Sequence, residues 1–280
     1  MTKVEYMGQW IAEEQAQGAN RAEILAGLHA LGWHPKSAEW AFDQAAAKLA
    51  GDIDCAVPFP QLAGSETRID LGDRALSLLM HVRRPQALLL GDFLSPEECD
   101  ELIALAEPEL RRSGVFTPDI ETNAVGAQSY ARTSDQASIA HGHSELVDRI
   151  CARAARLTQW PVAAIEAMQL VRYRPGAEFS PHYDYFHPDT ESGAAEIARN
   201  GQRVGTLILY LKTPRRGGAT LFLDAELEFL PARGNALLFC YGRAHDDSLT
   251  LHAGVPVSEG EKWIATLFFR QLPAPATELC

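Results

Sequence analysis

The spacing of apolar side chains separates the chain into an amino-terminal part with helical periodicity and a longer part rich in short strand-like runs. Between residues 4 and 50 apolar positions recur every three or four residues, as along 24–31, which is typical of amphipathic helices. Asn20 followed by Glu23 predicts a capped helix start, and Gly32 predicts the end of that helix. We expect three short helices in this part.

A linker is predicted after these helices. The segment 51–66, GDIDCAVPFPQLAGSE, carries two prolines and two glycines and has no helical period. We therefore expect a small three-helix module at residues 1–52, a linker at 53–67 and a second domain at 68–280.

Two amphipathic helices are predicted within the second domain. The stretch 95–110 reads SPEECDELIALAEPEL, in which Ser95 is the N-cap, Pro96 the first helical residue and Glu98 the acid of a capping box. Residues 144–157, SELVDRICARAARL, have the pattern of another helix.

Short β-rich runs dominate the chain from about residue 166, separated by turn clusters such as PRRGGA and PARGN. This spacing favours an all-β sandwich or barrel with helices packed outside it. The predicted strands are QALLLGDF (86–93), AMQLVRY (167–173), TLILYL (206–211), ATLFL (219–223), ALLFCY (236–241), LTLHAGVPV (249–257) and KWIATLFFR (262–270).

Charge and cysteine usage narrow the range of partners. The formal net charge of −12 repels phosphate backbones and so disfavours nucleic acid. The five cysteines are scattered and form no CxxC pair, which fits a reducing compartment. Neither a signal peptide nor an apolar run long enough for a membrane span is recognisable. We expect a cytoplasmic protein with neither a membrane nor a nucleic-acid partner.

Metal-ligand side chains are concentrated in the stretch 179–189, FSPHYDYFHPD. If this stretch begins as a strand, the two-residue period sends His182 and Asp184 to one face. A third ligand should come from a neighbouring strand, and His252 is the natural candidate. Two histidines and one carboxylate form the facial triad of non-haem Fe(II) oxygenases, which keeps coordination positions open.

The open positions fit O₂ and 2-oxoglutarate, whose second carboxylate then requires a cation. Strand alternation places Lys262 on one face with the apolar Ile264 and Phe268. A lysine on such a face is costly unless it is paired, and a substrate carboxylate would pair it. Arg270 has the same parity but lies about 26 Å further along at ~3.3 Å per residue, so Lys262 is the better anchor.

Each of these features also has a simpler explanation. An HxD pair occurs by chance in many chains, and a lysine on an edge strand can serve only to discourage aggregation. The coincidence of HxD, the strand histidine His252 and Lys262 ten residues later favours the iron site. Outside catalysis, the alternative is a cupin-like metal-binding interaction protein that has lost turnover.

Residues 86–272 resemble the catalytic domain of the prolyl 4-hydroxylases, a branch of the Fe(II)/2-oxoglutarate-dependent dioxygenases. The resemblance implies an α+β fold, a double-stranded β-helix (jelly roll) with flanking helices, over the domain at 68–280. The motifs that carry it, in the order of the family, are LLLGDFLSPEECDELIALAEPELRRSGV, ARTS (131–134), VRYRPGAEFSPHYDYF, GTLILYLKTPRRGGATLF, LPARGNALLFCY and LHAGVPVSEGEKWIATLFFR.

By this resemblance the catalytic metal ligands are His182, Asp184 and His252, and Lys262 binds the C5 carboxylate of 2-oxoglutarate. The cofactors it implies are Fe(II), 2-oxoglutarate and O₂, with ascorbate as a reductant.

Further residues are expected around the cosubstrate and the substrate. The resemblance implies that Tyr173 and Tyr210 contact 2-oxoglutarate, although simple packing in the sheet explains either tyrosine as well. It also implies that Arg132 lines the substrate groove, with a surface salt bridge as the alternative. We add Tyr183, between the two ligands of the HxD pair, as a candidate substrate contact.

The implied reaction is hydroxylation of an unactivated C–H bond on a proline-type ring, either in a peptide or protein or in a free imino acid. Another free amino acid or a small metabolite is the alternative target. Residues 1–52 are similar to small UBA-like modules that bind peptides, so a protein contact is expected there. The polar segment 187–203 is either a loop that closes over substrate or a surface insertion.

Overall fold

The computed structural model of the protein describes residues 11, 14, 19–30, 38–39, 42, 57–62, 66–112 and 133–271. Contacts between Cα atoms divide the chain into two units, Met1–Cys55 and Ala56–Cys280. The finer boundaries expected from the sequence, at 52 and 67, stay predictions.

The first unit contains helix α1 (Arg21–Ala30). Its start is the predicted capping box: the Asn20 side chain accepts a hydrogen bond from the Glu23 backbone at 3.2 Å, and the Glu23 carboxylate accepts one from the Asn20 backbone at 2.8 Å. A small apolar cluster forms around α1, and its buried members are Ile11, Ile24, Leu28, Ala38 and Phe42. The three-helix arrangement stays a prediction, because most of residues 1–52 lie outside the described residues.

Helices and strands both contribute to the second unit. Its α-helices are α2 (Pro96–Ala106), α3 (Glu145–Thr158) and α4 (Glu191–Asn200). Its strands are β1 (Arg68–Asp70), β2 (Ala75–Val82), β3 (Gln86–Gly91), β4 (Arg111–Arg112), β5 (Asp135–Ile139), β6 (Met168–Tyr173), β7 (Phe179–His182), β8 (Arg203–Lys212), β9 (Arg216–Gly217), β10 (Thr220–Phe222), β11 (Leu227–Phe229), β12 (Ala236–Cys240), β13 (His252–Gly254), β14 (Val257–Glu259) and β15 (Lys262–Arg270).

The strands form antiparallel sheets of a jelly roll. The large sheet has nine strands in the order β1-β2-β3-β12-β8-β15-β6-β5-β4, and a smaller sheet has four in the order β11-β10-β13-β7. A two-stranded ribbon pairs β14 with β9. Strands that are neighbours in space are distant in sequence, so the folded sheets bring together side chains that no local pattern connects.

The central strands of the large sheet, β8, β12 and β15, are buried on both faces. On β8, Leu207 and Leu209 belong to the cluster that includes Leu102 of α2 and Ile150 of α3, so the helices cover that face. The alternate residue Ile208 belongs to a second cluster, which is shared with the small sheet. Each fully buried leucine or isoleucine contributes roughly 1.5–3 kcal/mol of transfer free energy. The candidate site lies on the second face, between the sheets.

A buried ion pair joins α2 to α3. Ser95 and Glu98 form the predicted capping box at the start of α2, and the same Glu98 carboxylate binds the guanidinium of Arg153 on α3 at 2.9 Å. Arg153 also binds Asp73 at 2.9 Å. Removing Glu98 or Arg153 would break a buried ion pair, which typically costs roughly 3–5 kcal/mol, and the other charges of this network would offset part of that cost.

Two local features differ from the expectation. The strand expected through FSPHYDYF ends at His182, and Asp184 lies in a bend beyond it. Within the segment 187–203 the chain forms helix α4, which Thr190 caps. No helix among the described residues is both long and apolar enough to span a membrane.

Candidate metal centre and adjoining cavity

Three ligand-type side chains converge between β7 and β13. These strands are antiparallel neighbours, and His182, the last residue of β7, pairs directly with His252, the first residue of β13. Asp184 follows His182 by two residues. One ligand atom from each of the three side chains lies within 4.8 Å of the other two, a spacing that could hold a metal ion. The three residues predicted from the sequence are therefore brought together.

Backbone carbonyls fix the tautomer of both histidines. The Nδ1 atom of His182 lies 2.8 Å from the Ser180 carbonyl, and that of His252 lies 2.9 Å from the Thr250 carbonyl. Because a carbonyl oxygen only accepts, each Nδ1 carries a proton, and the tautomer that this bond selects has its lone pair on Nε2. Nε2 is the atom that each ring directs toward Asp184.

The three groups are spaced as ligands rather than as hydrogen-bond partners. Nε2 of His182 lies 3.6 Å from Oδ1 of Asp184, and Nε2 of His252 lies 3.7 Å from Oδ2. Both distances exceed those of ordinary N–H···O hydrogen bonds. A space bounded by two imidazole nitrogens and a carboxylate remains between them.

Burial and mutual charge favour the ligating protonation states. Burial, followed by the charge of the nearby His182, lowers the pKa of His252 to about 4, so the buried ring is neutral at pH 7. Burial alone would raise the pKa of Asp184, but the adjacent imidazoles outweigh it and hold that pKa below its usual range. A neutral imidazole and an ionised carboxylate are the forms that bind metal.

Aromatic side chains pack against both imidazoles. Phe179 stacks on His182 with ring centroids 3.6 Å apart, and Phe222 stacks on His252 at 5.5 Å. Phe239 meets His252 edge-on at 5.0 Å. These contacts fix the ring planes independently of any bound ion.

Asp184 is anchored through its side chain and through its backbone. The Thr206 hydroxyl donates to Oδ2 of Asp184 at 2.8 Å and also shares a hydrogen bond of 2.8 Å with Tyr241. Arg203 donates to the backbone carbonyl of Asp184 at 3.3 Å, and Glu166 binds the other two guanidinium nitrogens at 2.7 and 2.8 Å.

One cavity contains this cluster and extends to Lys262. Strand alternation correctly placed Ile264 and Phe268 on the face of Lys262, since all three line the cavity. Its lining residues are Gln169, Tyr173, Phe179, His182, Asp184, Thr206, Ile208, Thr220, His252, Ala253, Gly254, Lys262, Ile264, Thr266 and Phe268.

Lys262 is a buried cation without an anionic partner. The residue is 3% exposed, and no carboxylate among the described residues forms a salt bridge with it. Burial lowers the pKa of its ammonium group to about 7. Tyr173 is paired with Lys262 in the sheet register, and its ring centroid lies 5.2 Å from Nζ. This is the arrangement expected of a cation reserved for an anionic ligand.

Comparisons with known proteins agree on the family. Residues 168–270 match the profile described as the 2OG-Fe(II) oxygenase superfamily. Prolyl 4-hydroxylase 2 of Arabidopsis thaliana is 35% identical over 206 residues, covering 65% of this chain and 66% of that protein. Probable prolyl 4-hydroxylase 8 of the same plant is 33% identical over 220 residues, covering 71% and 72%. The chain belongs to the prolyl 4-hydroxylase family.

A solved structure of that family extends the comparison to the fold. The viral collagen prolyl hydroxylase from Paramecium Bursaria Chlorella virus-1, solved as its 2OG complex, is 29% identical with a TM-score of 0.52. The match covers 66% of this chain and 96% of that one, whereas the chain spans about two thirds of the length of the two plant relatives. The predicted dioxygenase class, with Fe(II), 2-oxoglutarate and O₂, is confirmed at the level of the family.

The donor set fits the iron of a prolyl 4-hydroxylase. Two imidazoles, each held through Nδ1 by a backbone carbonyl, and one carboxylate, held by Thr206, make a 2-His-1-carboxylate set. Arg270, the rival cation for the cosubstrate, already binds Glu166 at 2.5 Å and Glu196 of α4 at 2.8 Å. Lys262 remains the free cation of the described cavity.

The remaining expected residues of the prolyl 4-hydroxylase site take different positions. Tyr173 lines the cavity, whereas Tyr210 lies behind it and shares a hydrogen bond of 3.0 Å with Thr220, which does line it. Tyr183 stacks on Tyr185 with centroids 4.7 Å apart and is not among the described cavity-lining residues. Arg132 lies outside the described residues. The ligand contacts expected of these residues stay predictions.

Three polar residues of the cavity were missed by sequence reasoning: Thr206, Thr220 and Gln169. A signal for Thr206 exists, because it starts the apolar run TLILYL and shares strand parity with Ile208. A hydroxyl inside a buried strand requires a polar partner, which here is Asp184.

Proposed function

We propose that this protein hydroxylates the ring of a prolyl residue in a peptide or protein, using Fe(II), 2-oxoglutarate and O₂. One observation carries the proposal: a single cavity has a His-Asp-His donor set at one end and the buried, unpaired Lys262 among its lining residues. The names of the relatives support proline as the target.

In this proposal His182, Asp184 and His252 hold the metal. Bound Fe(II) supplies the site at which O₂ and 2-oxoglutarate are activated to oxidise a C–H bond. The two Nδ1–carbonyl bonds keep both imidazoles in the ligating tautomer, so these residues need no proton transfer before binding. Three protein donors leave further coordination positions for cosubstrate and oxygen.

Lys262 binds the far carboxylate of 2-oxoglutarate. The buried ammonium group of Lys262 has lost its hydration and has no anion beside it among the described residues. A carboxylate ligand would supply the missing anion. Tyr173 lies beside that ammonium and shapes the same end of the cavity. Tyr210 contributes by orienting the Thr220 hydroxyl, which lines the cavity.

Apolar side chains limit the access of water to the reacting groups. Ile208, Ile264 and Phe268 line the cavity between the sheets. A dry site strengthens the charge-assisted bonds to Lys262 and protects reactive species from side reactions.

The substrate assignment is tested by mass spectrometry after incubation of the protein with Fe(II), 2-oxoglutarate and O₂. Proline-containing peptides and free imino acids are supplied in parallel. We expect a gain of one oxygen atom on a prolyl residue, coupled to succinate release. Oxidation of free imino acids alone would replace the peptidyl substrate, and oxidation of neither class would remove the prolyl assignment.

Arg132 and Tyr183 are the residues that we propose for peptide contact. Tyr183 packs on the ring of Tyr185 next to the metal ligands, where a peptide approaching the metal would pass. Burial, followed by a hydrogen bond to the neighbouring Asp246 carboxylate, raises the pKa of Tyr183 to about 12, so its phenol stays protonated and its oxygen can still accept a hydrogen bond. Tyr183→Phe should raise the KM for peptide without changing that for 2-oxoglutarate. If wild type and Tyr183→Phe had the same KM for peptide, Tyr183 would not contact the peptide.

We also propose that residues 1–52 form a three-helix module that contacts a protein, in a cytoplasmic enzyme with ascorbate as reductant. The buried cluster around α1 supports an independent small core in this part. A chain beginning at residue 56 should keep turnover on a short peptide and lose it on an intact protein substrate. If the shortened chain turned over both substrates equally well, residues 1–52 would not recruit the substrate.

A further inference from the structure

A hydrogen-bond chain leads from the core of the jelly roll to the carboxylate of Asp184. Thr206 of β8 bonds Oδ2 of Asp184 at 2.8 Å, and Tyr241, which follows β12, bonds the Thr206 hydroxyl at 2.8 Å. The strands β8 and β12 are paired, so the sheet itself fixes the distance between the two hydroxyl groups.

The direction of the chain follows from the donor inventory. An ionised carboxylate can only accept hydrogen bonds, and a threonine hydroxyl has one proton. The proton of Thr206 therefore goes to Asp184, and the Tyr241 phenol donates to Thr206. Tyr241 holds the threonine in the one orientation in which it serves the carboxylate.

Burial favours this single orientation. Thr206 is fully buried and Tyr241 is 2% exposed, so bulk water competes little for either hydroxyl. Arg203 meanwhile holds the backbone carbonyl of Asp184. The residue is thus fixed at two points, one on the main chain and one on a single carboxylate oxygen.

The other carboxylate oxygen has no such bond. Oδ1 of Asp184 receives no hydrogen bond from the part of the chain that the structure describes, and its neighbour is Nε2 of His182 at 3.6 Å. The two oxygens of Asp184 therefore differ: Oδ2 is bound to the protein, and Oδ1 is available.

We propose that Thr206, oriented by Tyr241, is a positioning residue that commits one oxygen of Asp184 to the protein and presents the other to the metal. A carboxylate that supplies one oxygen occupies one coordination position, which leaves more positions open for cosubstrate and O₂. This inference rests on the proposed function only in requiring that the site takes a metal.

The chain offers a matched control inside the same cavity. Thr220 also lines the cavity, is buried and bonds a buried tyrosine, Tyr210, at 3.0 Å. No described hydrogen bond joins Thr220 to Asp184. Replacing either threonine by valine removes one buried hydroxyl with nearly unchanged shape, and of the two hydroxyls it is that of Thr206 which bonds the carboxylate.

The test is the affinity of the full-length protein for Fe(II), titrated without oxygen or 2-oxoglutarate, with Mn(II) as a second probe read by electron paramagnetic resonance. We expect Thr206→Val to bind the ion roughly ten- to a hundredfold more weakly, the usual cost of losing a group that orients a metal ligand. Thr206→Ser, which keeps the hydroxyl, should bind close to wild type, and so should Thr220→Val.

A double variant separates positioning from stability. Thr206→Val leaves the buried Tyr241 hydroxyl without its partner, which lowers stability. Adding Tyr241→Phe removes that orphaned group, so the double variant should recover thermal stability while its metal affinity stays low. It also replaces Thr206→Val in the titration if the single variant fails to fold.

Three results would overturn the inference: a folded Thr206→Val protein with wild-type metal affinity, a loss of equal size in Thr220→Val, or recovery of metal affinity in the double variant. Failure of the proposed function looks different, since the wild-type protein would then bind no metal or hydroxylate no substrate. If the wild-type protein hydroxylated peptide and Thr206→Val bound the metal as tightly as wild type, the positioning role alone would be excluded.

Discussion

The metal end and the lysine end of the cavity are built in opposite ways. At the metal end, His182, Asp184 and His252 each have a hydrogen-bond partner that fixes the side chain before any ion arrives. At the lysine end, Lys262 has the ring of Tyr173 beside it and no anion among the described residues.

The difference shows that the unfavourable free energy of an unpaired buried group lies at the lysine end of the cavity. At the metal end, hydrogen bonds already hold all three side chains in place, so little reordering should precede metal binding. The lysine end carries an unfavourable buried charge that only a ligand relieves. We infer that the first end supplies geometry and the second supplies affinity for a dicarboxylate.

The largest effect should come from breaking the metal end. His182→Ala or Asp184→Ala removes one of three protein donors, so turnover, measured as succinate and hydroxylated peptide, should fall below detection. His143→Ala, at an exposed histidine in a turn, is the control and should keep wild-type activity. Succinate formation at the wild-type rate in either ligand variant would exclude the assigned donor set.

Breaking the lysine end should weaken cosubstrate binding without removing the metal. Lys262→Met deletes a charge-assisted bond worth roughly 1.5–3 kcal/mol, which corresponds to a loss of about ten- to a hundredfold in affinity for 2-oxoglutarate. Calorimetric titration of the Mn(II)-loaded protein measures it. Lys212→Met removes an exposed lysine that pairs with Glu261 and should leave that affinity unchanged. If both variants lost the same affinity for 2-oxoglutarate, the loss would come from the change in net charge and not from a bond to Lys262.

The same substitution should stabilise the ligand-free protein. The folded-state pKa of Lys262, about 7, lies below the ordinary 10.5, so between these values the unfolded chain binds more protons. The free energy of unfolding therefore rises with pH across that window. Methionine avoids the cost of burying a charge, so Lys262→Met should be more stable by about 1–3 kcal/mol near pH 6.

Denaturant unfolding at several pH values checks this prediction. The advantage of Lys262→Met over wild type should shrink as the pH approaches 10, where the wild-type lysine is neutral when folded. A variant that is less stable than wild type at pH 6 would show that Lys262 is already paired.

The smallest effect is a proton taken up with the cosubstrate. A carboxylate beside Lys262 raises a pKa that starts at about 7, so binding above pH 7 draws a proton from the buffer and affinity falls as pH rises. Titrations at pH 8 in two buffers of different ionisation enthalpy should differ in apparent heat for wild type. Lys262→Met should show no such difference, and a difference of equal size there would place the proton elsewhere.

Local rules predicted the parts of the site that depend on one segment. The alternation along β15 placed Lys262 with Ile264 and Phe268, and the capping pattern located the start of α2 at Ser95. Both patterns follow from the fixed geometry of one strand or one helix, so the spacing of residues in the sequence is enough to predict them.

The parts that the sequence did not predict depend on contacts between distant segments. The Thr206 hydroxyl matters because Asp184 and Tyr241 meet it across the fold. Helix α4, in a segment expected to be loop or insertion, is held by Glu196 bonding Arg270 at 2.8 Å, 74 residues away. Such partners can be identified only when the pairing of the strands in the folded protein is known.

The proposed function requires that one cavity binds a metal at one end and a dicarboxylate at the other. A crystal structure of the protein with Mn(II) and 2-oxoglutarate tests it most directly, with the ion located by anomalous scattering. We expect the ion between His182, Asp184 and His252, with the far carboxylate of 2-oxoglutarate within hydrogen-bond distance of Lys262 Nζ. An ion bound elsewhere, or a carboxylate that leaves Lys262 unpaired, would contradict it.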